Sequence, residues 1–353
     1  MAVIPEDRWD LEHFCRHLQM AALLEAWTIP YYMAAMFSIV DRASPAYQLI
    51  QSVLHQEMLH LQLVANIANA YDYSPNLDPA WFSYGPDEEI PYLHVDFTPH
   101  SYVATVSNVT PDEYQPRSAA IGPLDKCRVN TMCLIEYPDW STGSKPAYRD
   151  DLSEYDSIGQ FYDALEYGAK QLGPSDIVGG RRQVDMFSAF YRRLPRVTVD
   201  SSGAEGLAQV LMLLDVIRDQ GEAAKVNSPI QGPHENTADD RHPDCSHYNK
   251  FCQIRAEPLP EIYAKTVPVK EPDAYGPGEH RLEQILIGNF EKFIDALNGL
   301  FAGNNPDDFV PLMAMIGANM LTCWRNGVTP KFTAAMHLRT RSIAQPQRNF
   351  YAL

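Results

Sequence analysis

Glu57 and His60 stand three residues apart in Ser52-Val53-Leu54-His55-Gln56-Glu57-Met58-Leu59-His60-Leu61-Gln62-Leu63-Val64, a stretch without glycine or proline. Ile50, Val53, Leu54, Leu61 and Val64 recur at the three-and-four spacing of a buried helix face. The acid and the imidazole interrupt that face, and residues three apart on a helix lie one above the other. Both therefore point into packed interior, where an uncompensated carboxylate is costly. A metal ion compensates it, and an inward Glu-x-x-His is the pattern of carboxylate-bridged di-metal four-helix bundles. The competing reading, a surface pair or a satisfied core histidine, is commoner for so short a motif taken alone.

The elements that must position these groups are helical. A first helix is predicted from about Asp10 to Asp41, with Leu18, Ala21, Ala22, Ile29 and Tyr32 on one face and Glu25 interrupting it. Pro30, in mid-helix, removes one backbone hydrogen bond and favours a kink one turn beyond that acid. Ser44 as cap and Pro45 as first residue start the second helix, and the short connection makes the two antiparallel neighbours. Residues 73–156 change texture, rich in proline and aromatics. They read as an irregular insertion with a short strand pair near Tyr102-Val103-Ala104-Thr105-Val106, serving as a lid or as packing filler. Further helices are expected from Ser157 to Leu172, Ala204 to Lys225, Ser246 onward, Leu282 to Phe301 and Pro306 to Arg325. A mobile tail is expected over 326–353. Periodicity leaves open whether Glu222 faces inward. Gly179-Gly180-Arg181-Arg182 lacks a preceding strand and makes a poor phosphate loop.

The 353 residues suffice for a substantial core, and the 45% hydrophobic and 21% charged content is that of a globular protein. A net charge of −17 argues against a nucleic-acid backbone or an anionic membrane as partner. No apolar run reaches the roughly 18 residues of a membrane span, and no secretory signal is read at the start. Cys15, Cys127, Cys133, Cys245, Cys252 and Cys323 are scattered without a Cys-x-x-Cys pair, as in a reducing, cytoplasmic setting. Thiolate metal sites are thereby disfavoured. Dinucleotide, Walker and serine-hydrolase motifs are missing, and no solenoid repeat is evident.

Six stretches occur together and in order: Glu25-Ala26-Trp27-Thr28-Ile29-Pro30-Tyr31-Tyr32, Glu57-Met58-Leu59-His60-Leu61, Ile135-Glu136-Tyr137-Pro138, Ile158-Gly159-Gln160-Phe161-Tyr162, Asp219-Gln220-Gly221-Glu222 and Ser246-His247-Tyr248. The set resembles the ferritin-like domain of the iminophenylpyruvate dimer synthase type, known from violacein and related bisindole pathways, over about Trp9 to Arg325. The resemblance implies a mainly α fold, a single ferritin-like helical bundle over 1–353 with the long insertion after the second helix. It also implies metal ligands at Glu25, Glu57, His60, Glu222 and His247. Asp219 stands where that family usually has Glu, and a second Glu-x-x-His is missing. One metal or an asymmetric pair is therefore open beside the usual di-metal arrangement.

Carboxylate and imidazole ligands suit iron, with manganese or zinc as alternatives. The expected function is a non-haem iron oxidase or oxygenase that takes dioxygen and a small amino-acid-derived metabolite in a biosynthetic pathway. Its expected associations are a second copy of the chain or a pathway enzyme. Two other classes compete. One is a metal-binding scaffold subunit without chemistry of its own; the other is a zinc- or manganese-dependent hydrolase or lyase, whose activity would survive without oxygen. No catalytic side chain and no organic cofactor site are assigned. Tyr31, Tyr32 and Tyr248 are pocket-shaping candidates whose default role is packing.

Overall fold

A computed structural model describes residues 9–85, 114–138, 155, 157–221, 229–235, 242–304, 306, 308–334 and 336. These residues form nine α-helices and no β-strand. In order they are α1 (Leu11–Phe37), α2 (Pro45–Ala70), α3 (Lys126–Ile135), α4 (Ile158–Leu172), α5 (Gly203–Gly221), α6 (His247–Ala256), α7 (Tyr263–Thr266), α8 (Pro277–Phe301) and α9 (Phe309–Arg325). No helix among the described residues is long and apolar enough to cross a membrane.

Local sequence sets the helix starts. Asp10, Ser44, Asp125, Ser157 and Ser246 each turn a side-chain oxygen onto the N–H three residues on, in His13, Tyr47, Arg128, Gln160 and Asn249. Each cap satisfies a donor that the first helical turn leaves without a partner. Pro45 and Pro277 occupy first helical positions, where the missing N–H costs nothing. Pro30 is contained within one uninterrupted α1.

Helices α1 and α2 run antiparallel: Phe14 near the start of α1 packs on Tyr71 just past the end of α2, and Phe37 packs on Tyr47 at the other end. Helix α4 lies against α1, α5 against α2, and α4 against α5, which closes a four-helix ring. Helix α6 rests on α2 and touches α3 and α5, while the α8–α9 hairpin covers α1 and α2 from another side. Central α1 and α2 are therefore buried almost all round. That wrapping is why α2 can carry buried polar groups with no solvent to serve them. Gln62 and Asn66 accept from the Met186 and Val184 amides, and Asn66 and Asn69 donate to the carbonyls of Val184, Val197 and Arg182. The long connection between α4 and α5 is thus fastened to α2, and its Arg182 pairs with Asp72.

Two expectations need correction and a third is not tested. The described part of the 73–156 insertion is not wholly irregular: α3 lies within it, capped by Asp125. The strand expected at Tyr102–Val106 lies outside the described residues. The segment from 326 onward does not begin as a loose tail, because Val328 and Phe332 are fully buried and Phe332 packs on Phe290 and Tyr84. Hydrophobic side chains there complete the core beside α8.

Candidate metal centre

Glu25 from α1, Glu57 and His60 from α2, and His247 from the first turn of α6 meet inside the bundle, with exposures of 1%, 2%, 2% and 0%. Glu222, the other ligand expected from the sequence, lies outside the described residues. A group not assigned from the sequence joins the four: Glu136, 1% exposed, on the residue that ends α3. The amphipathic pattern of Lys126–Ile135 is too weak to point at it, and only its place in Ile135-Glu136-Tyr137-Pro138 offered a signal.

His60 Nδ1 lies 3.3 Å from Glu25 Oε2. His247 Nδ1 lies 3.0 Å from Glu57 Oε1 and 3.4 Å from Glu136 Oε2, and the two imidazoles stack with centroids 5.2 Å apart. One ligand atom from each of Glu57, His60 and His247 falls within 4.8 Å of the others.

The outer oxygens of two carboxylates are pinned. Tyr162 on α4 donates to Glu25 Oε1, and Tyr32 on α1 donates to Glu136 Oε1 at 2.6 Å. In each case Oε2 is the oxygen turned towards a histidine. Thr28 donates to the Glu25 carbonyl at 2.8 Å and lies 3.3 Å from Glu57 Oε2. Tyr32 thus belongs to the site, whereas Tyr31 bonds to the Ser118 carbonyl and packs on Trp27.

A second layer orients His60. The Gln220 amide nitrogen donates to the His234 carbonyl at 2.6 Å, which turns Gln220 Oε1 onto His60 Nε2 at 2.9 Å. Nε2 is therefore engaged as a donor, which leaves Nδ1 as the nitrogen that faces the carboxylates. His234 is itself held by Asp219, whose Oδ2 also accepts from the Gln231 amide. Asp219 and His234, neither given a role from the sequence, position Gln220, which orients His60, an arrangement that recurs around metal-binding histidines.

The charge balance favours a cation. Burial first, then the charges of Glu136 and Glu25, push the Glu57 carboxyl well above the usual carboxylate range. Burial also acts to raise Glu25, but the His60 contact and the bonds from Glu57 and Tyr162 outweigh it and hold Glu25 low. Burial depresses the His247 imidazole, against the raising influence of Glu136. Both His247 ring nitrogens are buried and neither makes a hydrogen bond of ordinary geometry, although Nδ1 lies close to two carboxylate oxygens. Such orphaned buried nitrogens are rare and call for a partner. Carboxylate oxygens and neutral imidazoles are the donor set of iron, manganese and zinc, so the residues present fit a metal ion. A narrow cleft leads to the carboxylates between α4 and α5, past Ile158, Tyr162, Ile217, Arg218 and Gly221. Gly221 lies beside Glu136, and a Cβ there would make only an ordinary contact with Oε2, at 3.8 Å.

A carboxylate–imidazole cluster buried in a four-helix ring defines a class of helical metal-binding bundle. The model of the ferritin-like family matches residues 18–256, and the chain belongs to that family. It is similar to a ferritin-like protein from Caulobacter vibrioides of known crystal structure: 40% identity, a TM-score of 0.75, and coverage of 92% of this chain and 99% of that one. No curated protein matches the chain.

Proposed function

We propose that this chain is a non-haem iron oxidase or oxygenase of the iminophenylpyruvate dimer synthase type, acting on a small amino-acid-derived metabolite. The observation that carries the reading is the convergence of three buried carboxylates on two imidazoles, one of them with both nitrogens unsatisfied. Glu25, Glu57, Glu136, His60 and His247 would hold the metal, and the donor set accommodates one ion or two. A bound iron would supply a one-electron couple and an open position at which dioxygen reacts.

The chain's own residues do the rest. Tyr162 and Tyr32 hold Glu25 and Glu136 with their Oε2 atoms inward, so little rearrangement is needed when a cation arrives. Gln220 keeps the His60 proton on Nε2. Glu57 holds a proton while no cation is present and releases it to bind one, which couples metal uptake to proton release. Ile158 and Ile217 give the cleft apolar walls that restrict water. Arg218 flanks the same cleft, paired with Asp163 at 2.7 Å and with Glu166.

Metal analysis of the protein as purified, followed by anaerobic Fe(II) loading and exposure to oxygen, tests the proposal. Oxygen uptake should accelerate when aromatic amino acids or their 2-imino acids are added. An unchanged rate across that substrate class, with iron bound, would instead favour a scaffold subunit.

A further inference from the structure

The cleft carries a permanent cation that the metal centre does not explain. Among the described residues that line it, Arg218 is the only one with a guanidinium or ammonium group, and the acids lining it are Glu25, Glu57 and Glu136. Arg218, on α5, is held by two acids of α4: its Nη1 donates to Asp163 Oδ1 at 2.7 Å and to Glu166 Oε2. Asp163 and Glu166 stand three residues apart and so share one face of α4. All three side chains are partly exposed, whereas Glu25, Glu57 and Glu136 are buried. Arg218 therefore ties α4 to α5 at the outer end of the cleft. The cleft itself is too narrow for a molecule of amino-acid size. Such a molecule enters only if the tie gives way.

We propose that Arg218 is a specificity-determining residue that receives the carboxylate of the substrate, given the reading above in which a substrate reaches the carboxylate–imidazole cluster through this cleft. The site would then take small carboxylic acids with an apolar side chain and reject their neutral counterparts. An anion that approaches three carboxylates is repelled unless a cation meets it, and Arg218 stands on its path. Neither α4 acid has the two-nitrogen grip with which a guanidinium holds a carboxylate best, since both bonds fall on Nη1. Partly exposed pairs of this kind are cheap to exchange. The acids released are not stranded: Glu166 keeps Lys170, and Asp163 faces water. Beside Arg218, Ile217 and Ile158 offer apolar surface to the rest of the molecule.

Isothermal titration of the full-length protein, as purified, with 3-phenylpropanoate and with 3-phenylpropanamide tests the assignment. The first is an unreactive aromatic carboxylic acid and the second its neutral counterpart. The acid should bind at least about tenfold more tightly than the amide. Arg218→Met should bring the two within about twofold of each other. Asp163→Asn combined with Glu166→Gln should tighten binding of the acid and leave the amide unchanged, because no anion then competes for the guanidinium. A tie that served only to hold α4 against α5 would give no such gain. Equal affinity for acid and amide in the wild-type protein, or no saturable binding of the acid, would overturn the assignment. So would an acid preference that survives in Arg218→Met. If that variant does not fold, the wild-type comparison and the α4 double variant still decide. Binding is read without oxygen or turnover. Failure of the oxidase reading therefore leaves an Arg218-dependent acid preference standing, and an active oxidase without that preference removes the assignment alone.

Discussion

Gln220 Oε1 faces His60 Nε2 at 2.9 Å, and the other end of the same amide is tied to the His234 carbonyl. The pair of bonds decides which imidazole nitrogen is left for a metal. Gln220→Leu keeps the bulk and removes the acceptor, so it should weaken metal affinity about 10–100-fold. Gln220→Glu retains an acceptor and should lose less. Anaerobic calorimetric titration with Fe(II) or Mn(II) reads both, and equal affinities for wild type and Gln220→Leu would dismiss the tautomer argument.

Glu136 should matter as much as Glu57 and His60 on α2. Glu136→Ala, Glu57→Ala and His60→Ala are each expected to purify without stoichiometric metal yet keep a helical far-ultraviolet spectrum. Elemental analysis beside circular dichroism checks this. Full metal content in all three would place the metal elsewhere.

Tyr162 donates to a carboxylate that is 1% exposed. Tyr162→Phe leaves Glu25 Oε1 without that donor and should destabilise the metal-free protein by about 1–3 kcal/mol. Urea unfolding in the presence of chelator measures it. Tyr32→Phe should behave alike through Glu136.

Acid sensitivity should be traceable to His17, eight residues before Glu25 on α1. Its Nδ1 donates to the His13 carbonyl at 2.8 Å and its Nε2 accepts from Tyr155 at 2.9 Å, so the buried ring is satisfied only when neutral. Burial holds its pKa down to about 3, against about 6.5 in an unfolded chain. Above that unfolded value neither state is charged and no slope arises. Below it the unfolded chain takes up a proton that the fold refuses. Stability should therefore fall with pH by up to about 1.4 kcal/mol per unit until about pH 3. His17→Gln, which cannot titrate, should flatten that slope in urea midpoints taken from about pH 7 to about pH 4; an unchanged slope would clear His17 of the role.

What the sequence revealed of the fold and site follows a physical divide. The cap at Ser44, the helix starts at Ser157 and Ser246, and the placement of Glu25, Glu57 and His60 on apolar faces are local patterns and were legible. Glu136 was not, because it ends a ten-residue helix whose own pattern is weakly amphipathic; its burial comes from contacts made at long range. His234 and Asp219 were hidden for the same reason, since a buried His–Asp pair has no spacing rule. Val328 and Phe332 were misjudged because a chain end with few helix signals was equated with looseness. The breadth of the bundle was likewise not legible in the sequence, because α1 and α2 are covered on nearly every side only once distant helices have docked.

Glu136 reaches the centre from a helix that interrupts the plain four-helix plan. A minimised protein rebuilt from α1, α2, α4 and α5 alone would keep Glu25, Glu57 and His60 but forfeit Glu136 and His247. Its vacated wall would admit water where the intact chain presents a carboxylate and an imidazole. Anyone trimming this chain to a compact scaffold would therefore have to graft both outlying pieces, α3 with Glu136 at its C-cap and the opening turn of α6, as a unit.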